Sequence, residues 1–162
     1  NNTSYTLYTE VVTIDVLASE EYGRISLKSG SKFIDNGTLV SRVGFNTTAG
    51  DVVKQFMNTE LKIVKDGKAL TDTDIVGTGC VVQSLVNGQV KQSREIVVKS
   101  DLNGNGNVDM MDYIALRLMI LGKGTYTPSQ NAAADVDSNG AVTVTDYITI
   151  RMHLLGLLEI EP

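Results

Sequence analysis

Apolar residues recur at two different periods in this chain, and the change falls near residue 100. Before it, apolar and β-branched residues alternate with polar ones over short runs. These are TLYTEVVTIDVLA (6–18), RISLKSGSKFI (24–34), TLVSRVGF (38–45), ELKIVKDG (60–67), IVGTGCVVQSLV (75–86) and REIVVKSD (94–101). A period of two predicts strands. VKDGKAL and LVNGQVK set Asp-Gly and Asn-Gly between such runs, the residues that two-residue hairpin turns require. NTTAGDVVKQFM (46–57) breaks the alternation and predicts a helix, capped by Thr47 or Thr48, with Val52, Val53 and Phe56 on its apolar side.

After residue 100 the period becomes helical. At about 100° per residue from Met110, Tyr113, Leu116 and Ile120 share one stripe, while Met110, Met111, Ile114, Arg117, Leu118 and Leu121 share another. The segment from Val144 repeats this. Tyr147, Ile150 and Leu154 form one stripe; Val144, Thr145, Ile148, Arg151, Met152 and Leu155 form the other. A module of about 60 residues cannot bury four apolar stripes within itself. The first stripe of each helix is expected to face the module's own core. The second, apolar with one arginine, is expected to stay bare for a partner, with methionine as an adaptable contact. The competing expectation is that residues 1–100 cover it.

The helices belong to an internal repeat. Residues 101–122 align with 135–156 at an offset of 34, with 10 of 22 positions identical. Each copy opens on a calcium-loop pattern, D-x-[DN]-x-[DN]-G-x5, closed by Asp where an EF-hand has Glu. Calcium takes about six to eight oxygens, which one loop supplies from positions 1, 3, 5, 7, 9 and 12. In the first loop these are Asp101, Asn103, Asn105, the carbonyl of Asn107, Asp109 and Asp112. In the second they are Asp135, Asp137, Asn139, the carbonyl of Ala141, Thr143 through water, and Asp146. Gly106 and Gly140 sit where the loop turns sharply, and Val108 and Val142 can pair loop to loop as a short β contact. The first loop follows a strand and the second follows TPSQNAAA, a helical turn with Ser129 as a candidate cap. The units are therefore loop–helix, without the preceding helix of an EF-hand.

Charge supports this. Residues 1–100 hold 11 basic and 11 acidic residues, whereas residues 101–162 hold 3 and 8, so the whole net charge of −5 lies in the last third. That sign disfavours nucleic acid and suits divalent cations; two ions would bring the chain to −1. No apolar run is long enough to span a membrane. Cys80, the only cysteine, reads as a small buried apolar residue. His153, the only histidine, faces neither stripe and reads as a surface residue. With no nucleophile–base pair and the carboxylates assigned to metal, the chain does not read as an enzyme. Its abrupt opening on NNTSYTLYTEVVTIDV reads as a fragment of something longer.

Two loop–helix units with this spacing, each closing on Leu-Gly, resemble a dockerin over residues 101–156. The resemblance implies an all-α module (100–162) with two calcium ions, monomeric when free, that binds a cohesin of a scaffoldin or cell-surface protein. It places such a protein outside an anaerobic bacterium, in cellulosome-like polysaccharide degradation. The family's contact positions fall here on Met110, Met111, Ile114, Arg117, Leu118, Leu121 and Gly122, and on Val144, Thr145, Ile148, Arg151, Met152, Leu155 and Gly156. That is the second stripe of each helix. Many dockerins carry Ser/Thr at positions 10 and 11 and Lys/Arg at 17 and 18; the apolar choices here are more similar to type II dockerins. Near-equivalent repeats imply two binding orientations, made unequal by the pairs Met110/Val144, Met111/Thr145 and Leu118/Met152. The preceding residues 1–99 read as an α+β module, an antiparallel sheet with one helix, β-grasp-like or immunoglobulin-like, and resemble the companion X-type modules that precede dockerins. The alternative to a docking role is a calcium-stabilised structural end domain with no cohesin partner.

Overall fold

The computed structural model describes residues 23–162; the strand expected over residues 6–18 lies outside them. In the first part, strands β1 (Ile34–Asp35), β2 (Leu39–Val43), β3 (Leu61–Lys65), β4 (Lys68–Ala69), β5 (Val81–Val86) and β6 (Gln89–Val98) form one sheet. Its order is β1-β2-β6-β5-β3-β4. Both hairpins form as the turn residues dictate. Asp66 and Gly67 connect β3 to β4, Asn87 and Gly88 connect β5 to β6, and all four have positive φ, as a type I′ turn requires.

The sheet departs from the antiparallel expectation at one pair, since β2 runs parallel to β6. A parallel neighbour requires a long connection, and residues 44–88 provide it, carrying the helix and three strands between the two. RISLKSGSKFI does not form the single strand its alternation predicts. It contributes an isolated bridge at Leu27 and then β1, because glycine at position 30, with φ of 83°, turns the chain between them.

Helix α1 (Ala49–Val53) begins at Thr48, whose side chain accepts from the amide of Asp51. It lays Ala49 and Val52 on the sheet's core, with Phe56 just beyond. The core gathers Val40, Val43, Val52, Phe56, Ile63, Val76, Cys80, Val82, Ile96 and Val98.

The second part holds α2 (Met110–Ile120), α3 (Pro128–Ala134) and α4 (Val144–Leu154) around a smaller core of Leu102, Val108, Leu116, Ala134, Val136, Ile150 and Ile160. Helix α3 starts at Thr127 rather than Ser129. Thr127 and Gln130 form a reciprocal capping box, and Pro128 takes the first helical position, where its missing N–H costs nothing. Ser129 is buried beside the cap, its hydroxyl 2.9 Å from that of Thr127. The expected β contact between Val108 and Val142 does not form either. Both loops keep irregular backbone there, and the two valines meet the apolar core instead.

Candidate calcium loops and docking surface

The twelfth residue of each loop has two tasks. Asp112 Oδ1 accepts from the amides of Leu102 (2.8 Å) and Asn103 (2.9 Å), and Oδ2 accepts from Asp109 N–H (2.8 Å). Asp146 does the same with Val136 (2.8 Å), Asp137 (3.2 Å) and Thr143 (2.8 Å). One carboxyl therefore ties the beginning of its loop to the end. Each also completes a capping box, with Asp109 at the start of α2 and Thr143 at the start of α4. Loop closure and helix initiation are thus one event. Each helix stops as alike as it starts. Gly122 and Gly156 have φ of 66° and 69°, and the amides after the last turn bond back in the Schellman pattern: Lys123 to Leu118 and Gly122 to Met119, Leu157 to Met152 and Gly156 to His153.

The other ligand candidates turn inward in both loops. Asp101 accepts from Gly104 (2.7 Å) and Asn105 (3.0 Å) on one oxygen and from Gly106 (2.9 Å) on the other. Asp135 accepts from Asn139 (3.0 Å) and Gly140 (2.8 Å). In the second loop, carboxylate oxygens of Asp135, Asp137 and Asp146 lie within 4.8 Å of one another. Two oxygens that share one calcium at about 2.3–2.6 Å can be no farther apart than about 5 Å, so this donor set fits the ion. The first loop does not bring three carboxylates that close. It has Asn103 in place of the second loop's Asp137, and the amides of Asn103 and Asn105 gather on Asp109 at 3.3 and 2.7 Å. Its donors are still oxygen-rich: three acids, two amides and the carbonyl of Asn107 at the seventh position.

Electrostatics mark the first loop as short of positive charge. Burial raises the Asp101 carboxyl above the ordinary range against the pull of its amide donors. Burial likewise pushes Asp112 up to about 6, and the nearby Asp101 adds to it. At Asp109 burial pulls upward too, but the hydrogen bonds from Met111 and Asn105 together hold it low. A divalent ion among these residues would relieve the penalty of keeping Asp101 and Asp112 ionised.

The two helices close on each other through the stripes predicted to face inward. Tyr113 and Tyr147 stack with ring centroids 4.3 Å apart, and Leu116 and Ile150 are fully buried. The other stripes lie open. Met110, Met111, Ile114, Leu118 and Leu121 on α2, and Val144, Ile148 and Leu155 on α4, are exposed by between 43 % and 62 %. Arg117, Thr145 and Arg151 are exposed beside them, and Met152 is half-buried. The described sheet module does not cover them. A groove of about 250 Å³ runs between the start of α2 and the end of α4, lined by Met110, Tyr113, Arg151, Leu154 and Leu155.

Three features escaped sequence reasoning. Leu157 and Leu158 extend the apolar surface beyond α4. His153 is half-buried rather than a plain surface residue. Its ring lies 5.9 Å from that of Phe45 in the sheet module, and its Nδ1 accepts from the amide of Ile160 (3.3 Å). The loop at Gly77–Thr78 packs against the first acidic loop, with Thr78 N–H donating to Asp101 Oδ2 at 2.9 Å. The alternation of IVGTGCVVQSLV predicts only a strand, and the glycines of GTGC are the signal in it that could have marked a close backbone approach.

No curated protein matches the chain. Two similar solved structures are cohesin–dockerin complexes from Acetivibrio cellulolyticus. One pairs the third cohesin of ScaC with a ScaB dockerin mutated in its N-terminal helix and is described as a type I interaction; the likeness has 32 % identity over 41 % of this chain and 93 % of that one, with a TM-score of 0.38. The other pairs the sixth cohesin of scaffoldin B with a Cel5 dockerin mutant, at 24 % identity over 40 % of this chain and all of that one, with a TM-score of 0.38. Residues 99–155, about a third of the chain, match the family model of the dockerin type I domain, a binding module rather than a catalytic one.

Proposed function

We propose that this protein docks onto a cohesin in a calcium-dependent manner, through the exposed stripes of α2 and α4, as the attachment part of an extracellular protein. The observation that carries this reading is a pairing. In a segment matching the dockerin domain, two like helices close on each other through Tyr113, Tyr147, Leu116 and Ile150, yet leave a second apolar stripe exposed on each. Apolar side chains left bare on two facing repeats, with an arginine in each stripe, have the composition of an interface core. The twelve loop positions named above would hold two calcium ions, which supply positive charge where Asp101, Asp112 and Asp146 are buried.

The finer parts of the proposal concern specificity and context. Met110 and Met111 stand where many dockerins have Ser or Thr, and we read them as type II-like recognition positions beside a type I family match. Residues 1–99 would be the companion module and 100–162 the dockerin, in a cellulosome-like or cell-surface assembly. The test is a calorimetric titration of type I and type II cohesins into the full chain and into its Met111→Glu/Thr145→Glu variant. Burying a charge in the interface should weaken binding at least about tenfold, with helicity unchanged. Indifference of every cohesin to the wild-type chain would favour a structural end domain instead.

A further inference from the structure

The two loops repeat in sequence but not in surroundings. Asp135 receives its amide donors from its own loop, Asn139 and Gly140, and nothing lies within 4 Å of where a Cβ on Gly140 would stand. Asp101, its counterpart, is fully buried and takes a fourth hydrogen bond from Thr78 N–H of the sheet module. Thr78 is itself fixed to the end of β6, its hydroxyl donating to Val98 O and accepting from Val98 N, both at 3.0 Å. The contact is backbone against backbone. A Cβ on Gly77 would stand 2.1 Å from Gly104 O and 2.7 Å from Asp101 Oδ2, and one on Gly106 would stand 2.6 Å from Val76 O. Two more groups of the sheet module grip the same loop: Asn46 N–H donates to Gly106 O at 2.9 Å, and the Lys65 ammonium donates to Gly104 O.

We propose that the sheet module is a built-in outer part of the first calcium site, with Gly77 and Thr78 as its positioning residues, so that the first loop binds calcium more tightly than the second. The inference rests on the calcium reading of the preceding section and adds the inequality. Its physical basis is preorganisation. A loop already held at Asp101, Gly104 and Gly106 has less backbone freedom to surrender when an ion arrives. Thr78 also fixes the orientation of the Asp101 carboxylate, as outer partners of metal ligands do. The second loop must be ordered by the ion itself.

The test uses the full chain and calcium alone as the titrant. The amides of Gly106 and Gly140 donate to Asp101 and Asp135 respectively, so their nitrogen–proton resonances report the two loops separately. In the wild-type chain Gly106 should reach its calcium-bound position at a concentration at least about tenfold lower than Gly140. Gly77→Ala, whose methyl has no room, should move the Gly106 midpoint up by a similar factor and leave that of Gly140 in place. Thr78→Ala, a gentler change that keeps the N–H to Asp101 but removes the hydroxyl fixing it to Val98, should move the Gly106 midpoint alone upward by a smaller amount and serves if Gly77→Ala does not fold. Both amides titrating together in the wild-type chain, or the variants moving both midpoints equally or neither, would overturn the proposal while leaving calcium binding intact. Neither amide responding to calcium would overturn the calcium reading and the proposal with it.

Discussion

The sheet module closes over Val40, Val43, Val52, Phe56, Ile63, Val76, Val82, Ile96 and Val98, whereas the helical module closes over Leu102, Leu116 and Ile150 together with three carboxyl groups. Asp101, Asp112 and Asp146 have no exposure at all. An apolar core needs only water to drive it together. Buried carboxylates must be matched by hydrogen bonds and opposite charge, or they oppose folding. Among the described residues these three acids are matched by backbone amides and, at Asp146, by the Thr143 hydroxyl as well, and no lysine or arginine forms an ion pair with them. One half is held by apolar packing, whereas the other also buries carboxyl groups that bound calcium, on the reading proposed above, would neutralise.

The largest expected effect separates the halves. Chelating calcium should unfold the second loop and α4 and destabilise α2, while the sheet and the first-loop residues it grips stay in place, giving loss of a large part of the helical signal in far-ultraviolet circular dichroism with the β signal retained. Full helicity in chelator would erase the contrast. Core truncations should act on one half each. Ile150→Ala or Leu116→Ala should cost the helical module about 2–5 kcal/mol, and Phe56→Ala should cost the sheet about 3–5 kcal/mol. Denaturant titration followed by tyrosine fluorescence and circular dichroism would show whether each variant moves one transition or both.

Acidity should sharpen the same comparison. Burial raises the Asp112 carboxyl from 3.8 to about 6 in the ion-free fold. A carboxyl raised by folding stabilises the fold while protonated, so the ion-free helical module should lose stability as pH rises from about 4 through about 6. With calcium the sign reverses, because proton and ion compete for the same oxygens, and calcium affinity should fall as pH drops below about 6. Calorimetric calcium titrations at a series of pH values measure this directly. The smallest effect concerns caps. Thr127→Ala should cost about 1 kcal/mol, read as a shift in the thermal midpoint of the helical module alone.

The repeat made much of the helical module readable from the chain. Asp112 and Asp146 recur at the twelfth position, each begins a helix, and each helix carries Tyr and Leu or Ile at the spacing that became the buried stripe. The sheet was legible in its hairpins, since DG and NG leave little choice of turn. Its parallel β2–β6 pair was not, because strand alternation carries no information about direction. The same limit hid the junction. Asp101 looked like any first ligand of a loop, and only the folded chain brings Thr78 N–H to its carboxylate across 23 residues. His153 was misjudged for a related reason: its partner Phe45 lies over a hundred residues away and belongs to another pattern.

On the proposed reading, calcium ions hold the two helices so that their outer stripes are presented together. Titrating a matching cohesin into the full chain, first in calcium and then in excess chelator, tests this most directly. The expected result is saturable binding of one cohesin per chain in calcium and none in chelator. Binding of equal strength in both conditions would contradict it.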